Sequence, residues 1–289
     1  MERGDGSWQN RNWPSVEGLR LHARDYAAAD GPARLPVICL HGVTRNGRDF
    51  EALAPWIAAR HRRVLTVDVR GRGLSDRDPA GCYWLPTYAD DVRRLAEALG
   101  LERAIFIGTS MGGLITMQLA ETSPILVAGA VINDIGPVLA PDGLTRIATY
   151  VGKAPQFDSW DDAASYLQQQ NEAALPHYRA QDWHLMAKRM FRADASKVVA
   201  DYDPAIATAF KTGPLLADPW DRWNGLAGGR PVLLLRGALS DLLTADDAGR
   251  MVVEHAQARL CEVSNVGHAP MLDEPDALAA IGQFLDEVP

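Results

Sequence analysis

The sequence predicts an α/β fold: a mostly parallel sheet covered by helices on both faces, with a helical subdomain inserted late in the chain. Three observations carry this. Val37–Leu40, Val64–Val67, Ala104–Ile107, Leu126–Ile132 and Pro231–Leu235 are predominantly apolar runs rich in branched residues, with Thr66 the one hydroxyl among them, the pattern of strands buried on both faces. Helical stretches separate these runs, and strand–helix–strand alternation builds parallel sheets. From Pro137 to about Gly225 the alternation stops, in a segment too long to be a loop.

The bulk numbers set limits. With 289 residues, 47% hydrophobic and 23% charged, the chain can bury a sizeable core and has the balance of an ordinary soluble globule. A net charge of −8 argues against nucleic acid or an anionic membrane as partner. No apolar run approaches a membrane span, and the polar start, Met1 to Pro14, lacks an apolar signal core. Cys39, Cys82 and Cys261 have no metal spacing. A cytoplasmic protein without cofactor or metal is expected.

Taken in order, residues 1–14 read as a loose arm. Leu19, Leu21, Ala23 and Asp25 alternate with polar or aromatic neighbours, as in a strand near a sheet edge. The Val37–Leu40 strand runs into His41-Gly42-Val43, and a helix is expected from Asp49 to Arg60. The next strand, Val64–Val67, leads to Arg70-Gly71-Arg72-Gly73-Leu74-Ser75-Asp76. That loop lacks the third glycine of a dinucleotide fingerprint and any phosphate-loop ending, so a nucleotide site is not expected. Thr87 and Asp90 suggest a capping box opening a helix that Gly100 stops. The inserted segment contains helical stretches at 161–172 and 182–191 and holds 11 of the 21 aromatic residues. Most of these should form a small core, and some should roof a pocket. Strands at 231–235 and 260–263 and helices from Ala245 and Asp276 complete the chain.

The centre of the sequence is Gly108-Thr109-Ser110-Met111-Gly112-Gly113. A strand turning at once into a helix forces the middle residue of Gly-x-Ser-x-Gly into a strained conformation and isolates its hydroxyl at the tip. Serine needs a base to act as a nucleophile, and a carboxylate to orient that base. His268 follows the last strand on a Gly-His turn and is the preferred base among seven histidines. Asp134 and Asp241 both follow strands and both could reach a histidine. Asp241, behind the tight Gly237–Asp241 turn, is the preferred acid. The backbone N–H of Met111 and that of Val43 are the expected donors to a developing oxyanion, with His41 shaping the Val43 loop. Arg45 and Arg48 lie near the same mouth. Such arginines are usually solvated, though either could meet an anionic substrate group.

Together His41-Gly42-Val43, Arg70 to Ser75, Gly108 to Gly113, Gly237 to Asp241 and Gly267-His268 resemble the α/β-hydrolase fold superfamily from about Leu19 to the C-terminus. The resemblance implies eight strands, a core of residues 1–136 and 226–289, and a helical cap at 137–225 after the sixth strand. It also implies nucleophile Ser110, acid Asp241, base His268 and oxyanion donors Val43 and Met111. Haloalkane dehalogenases of this superfamily carry Asp where this chain has Ser110. The expected activity is hydrolysis of small carboxylic esters or lactones without a cofactor. Cofactor-free carbon–carbon bond hydrolysis or peroxidation is the alternative, and a non-catalytic binding module the more remote one.

Overall fold

The structure, a computed structural model, describes residues 3–4, 8–208, 219–253 and 255–289. The chain begins with β1 (Arg3–Gly4), β2 (Trp8–Pro14), β3 (Arg20–Tyr26), β4 (Val37–Leu40), α1 (Leu53–Ala58) and β5 (Val64–Asp68). Next come α2 (Leu85–Ala98), β6 (Ala104–Thr109), α3 (Met111–Thr122) and β7 (Val127–Asn133). A long excursion carries α4 (Pro141–Ala148), β8 (Gln156–Phe157), α5 (Trp160–Asn171), α6 (Ala180–Met190), β9 (Phe191–Asp194) and β10 (Lys197–Ala200). The chain closes with α7 (Trp220–Ala227), β11 (Val232–Gly237), α8 (Ala245–Val253), β12 (Ala258–Val263) and α9 (Pro275–Glu287).

The main sheet runs β1-β2-β3-β5-β4-β6-β7-β11-β12, nine strands when the two-residue β1 is counted. The pairs from β5 to β12 are parallel, and β1, β2 and β3 add antiparallel to one side. Every residue of β4, β5, β7 and β11 is buried, as expected of runs this apolar. The step from β4 to β5 goes one way along the sheet, and the steps through β6, β7, β11 and β12 go the other. Right-handed crossovers therefore place α1 and α2 on opposite faces. Trp56 of α1 lies where a side chain on Gly282 of α9 would reach, so these two helices share a face. The reversal falls between β4 and β6, and ligands of open α/β sheets bind beyond the carboxyl ends of such strands.

Several expectations change. Residues 8–14 are not a loose arm but a strand pairing antiparallel with β3, which is therefore internal to the sheet rather than near an edge. Polar and aromatic anchors hold it in place of an apolar stripe: Arg11 pairs with Asp25, and the Trp13 indole donates to the Asp91 carbonyl at 2.8 Å. The 49–60 helix divides into a 3-10 turn (Gly47–Phe50) and the short α1. The next helix starts at Leu85 with Trp84 as cap, and Asp90 pairs with Arg93 and Arg94 instead of closing a capping box. The excursion is not wholly helical, since β8, β10 and β9 form a small antiparallel sheet. Its central strand, Lys197-Val198-Val199-Ala200, offers only two branched residues, too short a run to stand out.

Trp223 of α7 is fully buried and donates to the Met251 carbonyl. α7 packs on α3, in the helical layer of the sheet. The 225/226 boundary expected from sequence falls inside it. Among the described residues no helix is long and apolar enough to cross a membrane.

Candidate active site

Ser110 stands between β6 and α3 with φ 51° and ψ −115°, a backbone conformation that costs an L-residue energy and persists only where its surroundings enforce it. The enforcement is steric. A Cβ on Gly108 would lie 2.5 Å from the carbonyl of Gly112, and one on Gly112 would lie 2.0 Å from the carbonyl oxygen of Leu40. Strand and helix ends can close only because both positions are glycine. The Ser110 N–H donates to the Asn133 carbonyl at 3.0 Å, tying the turn to the end of β7.

His268 Nε2 lies 3.0 Å from Ser110 Oγ, as the sequence suggests. Its other nitrogen does not meet Asp241. His268 Nδ1 lies 2.8 Å from Oδ2 of Asp134. This carboxylate is fully buried and also accepts from the Gly237 N–H at 2.8 Å and the Ser240 hydroxyl at 2.6 Å. With a carboxylate at Nδ1, the imidazole carries its proton there and presents the lone pair of Nε2 to the serine.

The expected partner of His268 is thus corrected from Asp241 to Asp134. Asp241 turns away from the imidazole and pairs with Arg146 of α4, at 2.5 and 2.8 Å through Nε and Nη2. Bonding to that guanidinium holds the Asp241 carboxyl below the usual carboxylate range. The reason is topological. β7 is the hydrogen-bonded neighbour of β6, so a residue one step past β7 lies beside the nucleophile turn. The loop after β11 supplies Ser240, which donates to Asp134, rather than a carboxylate at His268 Nδ1.

His41 is fully buried. It accepts from the Val69 N–H at Nε2 and faces the Gly42 carbonyl with Nδ1 at 2.7 Å, so its proton is on Nδ1. Because the Gly42 carbonyl is held toward His41, the Val43 N–H on the same peptide points the opposite way. The Val43 carbonyl accepts from Arg72 Nε at 3.0 Å, and Arg72 Nη2 approaches Met111 Sδ at 3.5 Å. Buried Arg72 thus connects the loop that carries Val43 to Met111 at the start of α3. Sequence reasoning missed Arg72, Ser240 and Asn133. Arg72 and Ser240 lie in stretches the sequence marks, the glycine-rich loop and the Gly237–Asp241 turn, whereas Asn133 gave no signal.

Burial pushes His41 down to about 4. Between that value and the ordinary histidine range near 6.5, the unfolded chain binds a proton that the folded chain refuses. Stability is therefore complete above about pH 6.5 and falls as pH drops toward 4, by about 3 kcal/mol from this residue. Chemical denaturation at pH 7.5 and 4.5 should show the loss; equal midpoints would contradict it.

Ser110 and His268 open onto a cavity whose floor includes Gly42, Val43 and Arg45 and whose roof comes from the excursion, through Ile147, Tyr150, Tyr166, Leu167, Met190 and Tyr202. Tyrosines, Phe50 and Phe191 supply the aromatic lining, and Trp160, Trp183, Trp220 and Trp223 are not among the lining residues. Arg48 points elsewhere, pairing with Asp201 at 2.6 Å.

Comparison with known proteins gives a consistent picture. A family model for the alpha/beta hydrolase fold matches residues 36–275. The chain is 34% identical over 276 residues to the 3-hydroxybutyrate-oligomer hydrolase of Cupriavidus necator, covering 91% of this chain and 93% of that protein. It is 32% identical over 252 residues to the 2-(acetamidomethylene)succinate hydrolase of Mesorhizobium japonicum, covering 86% and 87%. The crystal structure of an alpha/beta hydrolase from Novosphingobium aromaticivorans matches with a TM-score of 0.91 at 41% identity, over 98% of this chain and 99% of that one.

Proposed function

Since the chain belongs to the α/β-hydrolase fold family, we propose that it is a serine hydrolase cleaving carboxylic esters or lactones through an acyl-Ser110 intermediate. The observation that carries this reading is the continuous relay from Ser110 Oγ through His268 to Asp134, at 3.0 and 2.8 Å. A relative named for hydrolysing oligomers of a hydroxy acid supports the choice of an ester bond.

In this mechanism Ser110 Oγ attacks the substrate carbonyl while His268 Nε2 takes its proton. Asp134 stabilises the imidazolium that results. The N–H groups of Val43 and Met111 meet the oxygen that gains charge. His268 then returns the proton to the departing alkoxide, which leaves as alcohol, and the acyl group remains on Ser110. Water enters, gives a proton to His268 and attacks the acyl carbon. Collapse of the second tetrahedral species expels Ser110, which recovers its proton from the imidazolium. Of the expected 137–225 cap, residues 137–208 roof the cavity, their tyrosines and aliphatic residues selecting the acyl and alcohol groups; positions 209–218 lie outside the described residues. The substrate is a small molecule, and no nucleic acid or membrane enters the cycle.

The test is a rapid-mixing experiment with p-nitrophenyl butyrate. A burst approaching one equivalent of p-nitrophenol per chain is expected, with a butyryl adduct on the Ser110 peptide by mass spectrometry. Turnover with neither burst nor adduct under any trapping condition would remove the acyl-serine step.

A further inference from the structure

Arg45 is a polar group of the cavity that the proposed hydrolysis leaves unused. It follows β4 on the loop that carries Val43, lines the same cavity as Ser110, and exposes only 15% of its side-chain surface. A Cβ placed on Gly42 would touch both Arg45 Cγ, at 3.5 Å, and Ser110 Cβ, at 3.8 Å. The stem of the arginine and the nucleophile therefore stand on either side of one glycine.

A guanidinium has two edges able to grip a carboxylate. Arg45 commits one of them, with Nε 2.8 Å from Asp49 Oδ2 and Nη2 2.8 Å from Asp49 Oδ1. The other edge, Nη1 and Nη2, faces two thioethers, Met190 Sδ at 2.9 Å and Met271 Sδ at 3.9 Å. Thioether sulfur is a weak acceptor, so these N–H groups are poorly satisfied in a half-enclosed, largely apolar space. The second cavity arginine, Arg146, differs: Asp241 takes its Nε and Nη2, and Tyr150 is a further hydrogen-bond partner.

We propose that the free edge of Arg45 is a subsite for a substrate carboxylate, so that the favoured esters carry a free carboxylate a few bonds from the scissile carbonyl. The proposal rests on the acyl-Ser110 reading for the identity of the reacting group. A planar monoanion fits for two reasons. The fork geometry matches a carboxylate in two parallel bonds. Asp49 already offsets the arginine charge, which leaves little to balance a phosphate dianion. Met190 and Met271, flexible and polarisable, can give way as the anion enters.

The test compares monomethyl glutarate with dimethyl glutarate. Ser110→Ala protein, which cannot turn either over in this mechanism, is titrated with each in a calorimeter. The monoester is expected to bind at least about tenfold more tightly. Adding the paired substitutions Arg45→Gln and Asp49→Asn, which leave no orphan charge, should erase that preference. Met190→Glu, which fills the free edge from within the protein, should erase it as well, and provides a second route if the paired variant does not fold. In the Ser110 enzyme the kcat/KM ratio of monoester to diester should fall at least about tenfold with either change. Equal binding of the two esters, or a preference that survives in a folded variant, would overturn the subsite. Should the Ser110 enzyme cleave neither ester, the hydrolase reading suffers, while the calorimetric comparison still decides on Arg45.

Discussion

Asp134→Asn is expected to lower kcat for an activated ester roughly ten-thousand-fold, whereas Asp241→Asn changes it less than about tenfold. Asparagine keeps the size of the acid but turns a donor toward His268 Nδ1. The imidazole then places its proton on Nε2 and can no longer accept one from the serine. It also loses the charge that stabilises the imidazolium. Asp241 meets Arg146 instead, and both side chains are partly exposed, at 35% and 29%, where ion pairs count for little. Steady-state kinetics on p-nitrophenyl butyrate would read both variants, and melting curves would separate loss of chemistry from loss of fold. Comparable kinetic damage from the two substitutions would remove Asp134 from its assigned place.

Ser110→Ala should produce the largest loss, roughly a million-fold in kcat, together with complete loss of labelling by a fluorophosphonate. The change deletes one oxygen at the mouth of a cavity, and alanine can hold the same backbone conformation under the same steric pressure from Gly108 and Gly112. The melting temperature should therefore stay within a few degrees of the parent. A folded Ser110→Ala protein that keeps substantial turnover would assign the hydrolysis to another group.

What the sequence revealed depended on how local each signal was. Gly108, Ser110 and Gly112 are three positions of one turn, and the steric demand that couples them is visible in the spacing alone. His268 stood out because it follows the last strand on a Gly-His turn. The choice between Asp134 and Asp241 depends on lateral order in the sheet, which no local pattern records. One signal was available: β7 is the strand that directly follows β6 in sequence, and consecutive strands are more often than not neighbours, which would bring Asp134 to the imidazole. The strand at 8–14 was hidden for another reason. Arg11, Trp13 and the β3 ladder hold it through polar and single-residue anchors, so it has no apolar period to detect. Expected contacts of Arg45 were illegible because Met190 and Met271 lie 145 and 226 positions away along the chain.

The distance along the polymer between Ser110 and His268, 158 residues, has a consequence for biosynthesis. At ribosomal speeds in the range of 5–20 residues per second, roughly ten to thirty seconds separate the appearance of the two. Through that interval the nascent chain carries its serine with no partner to take the proton. On the acyl-Ser110 reading, competence thus waits until His268 has been made, and a product truncated before that residue would be inert toward esters.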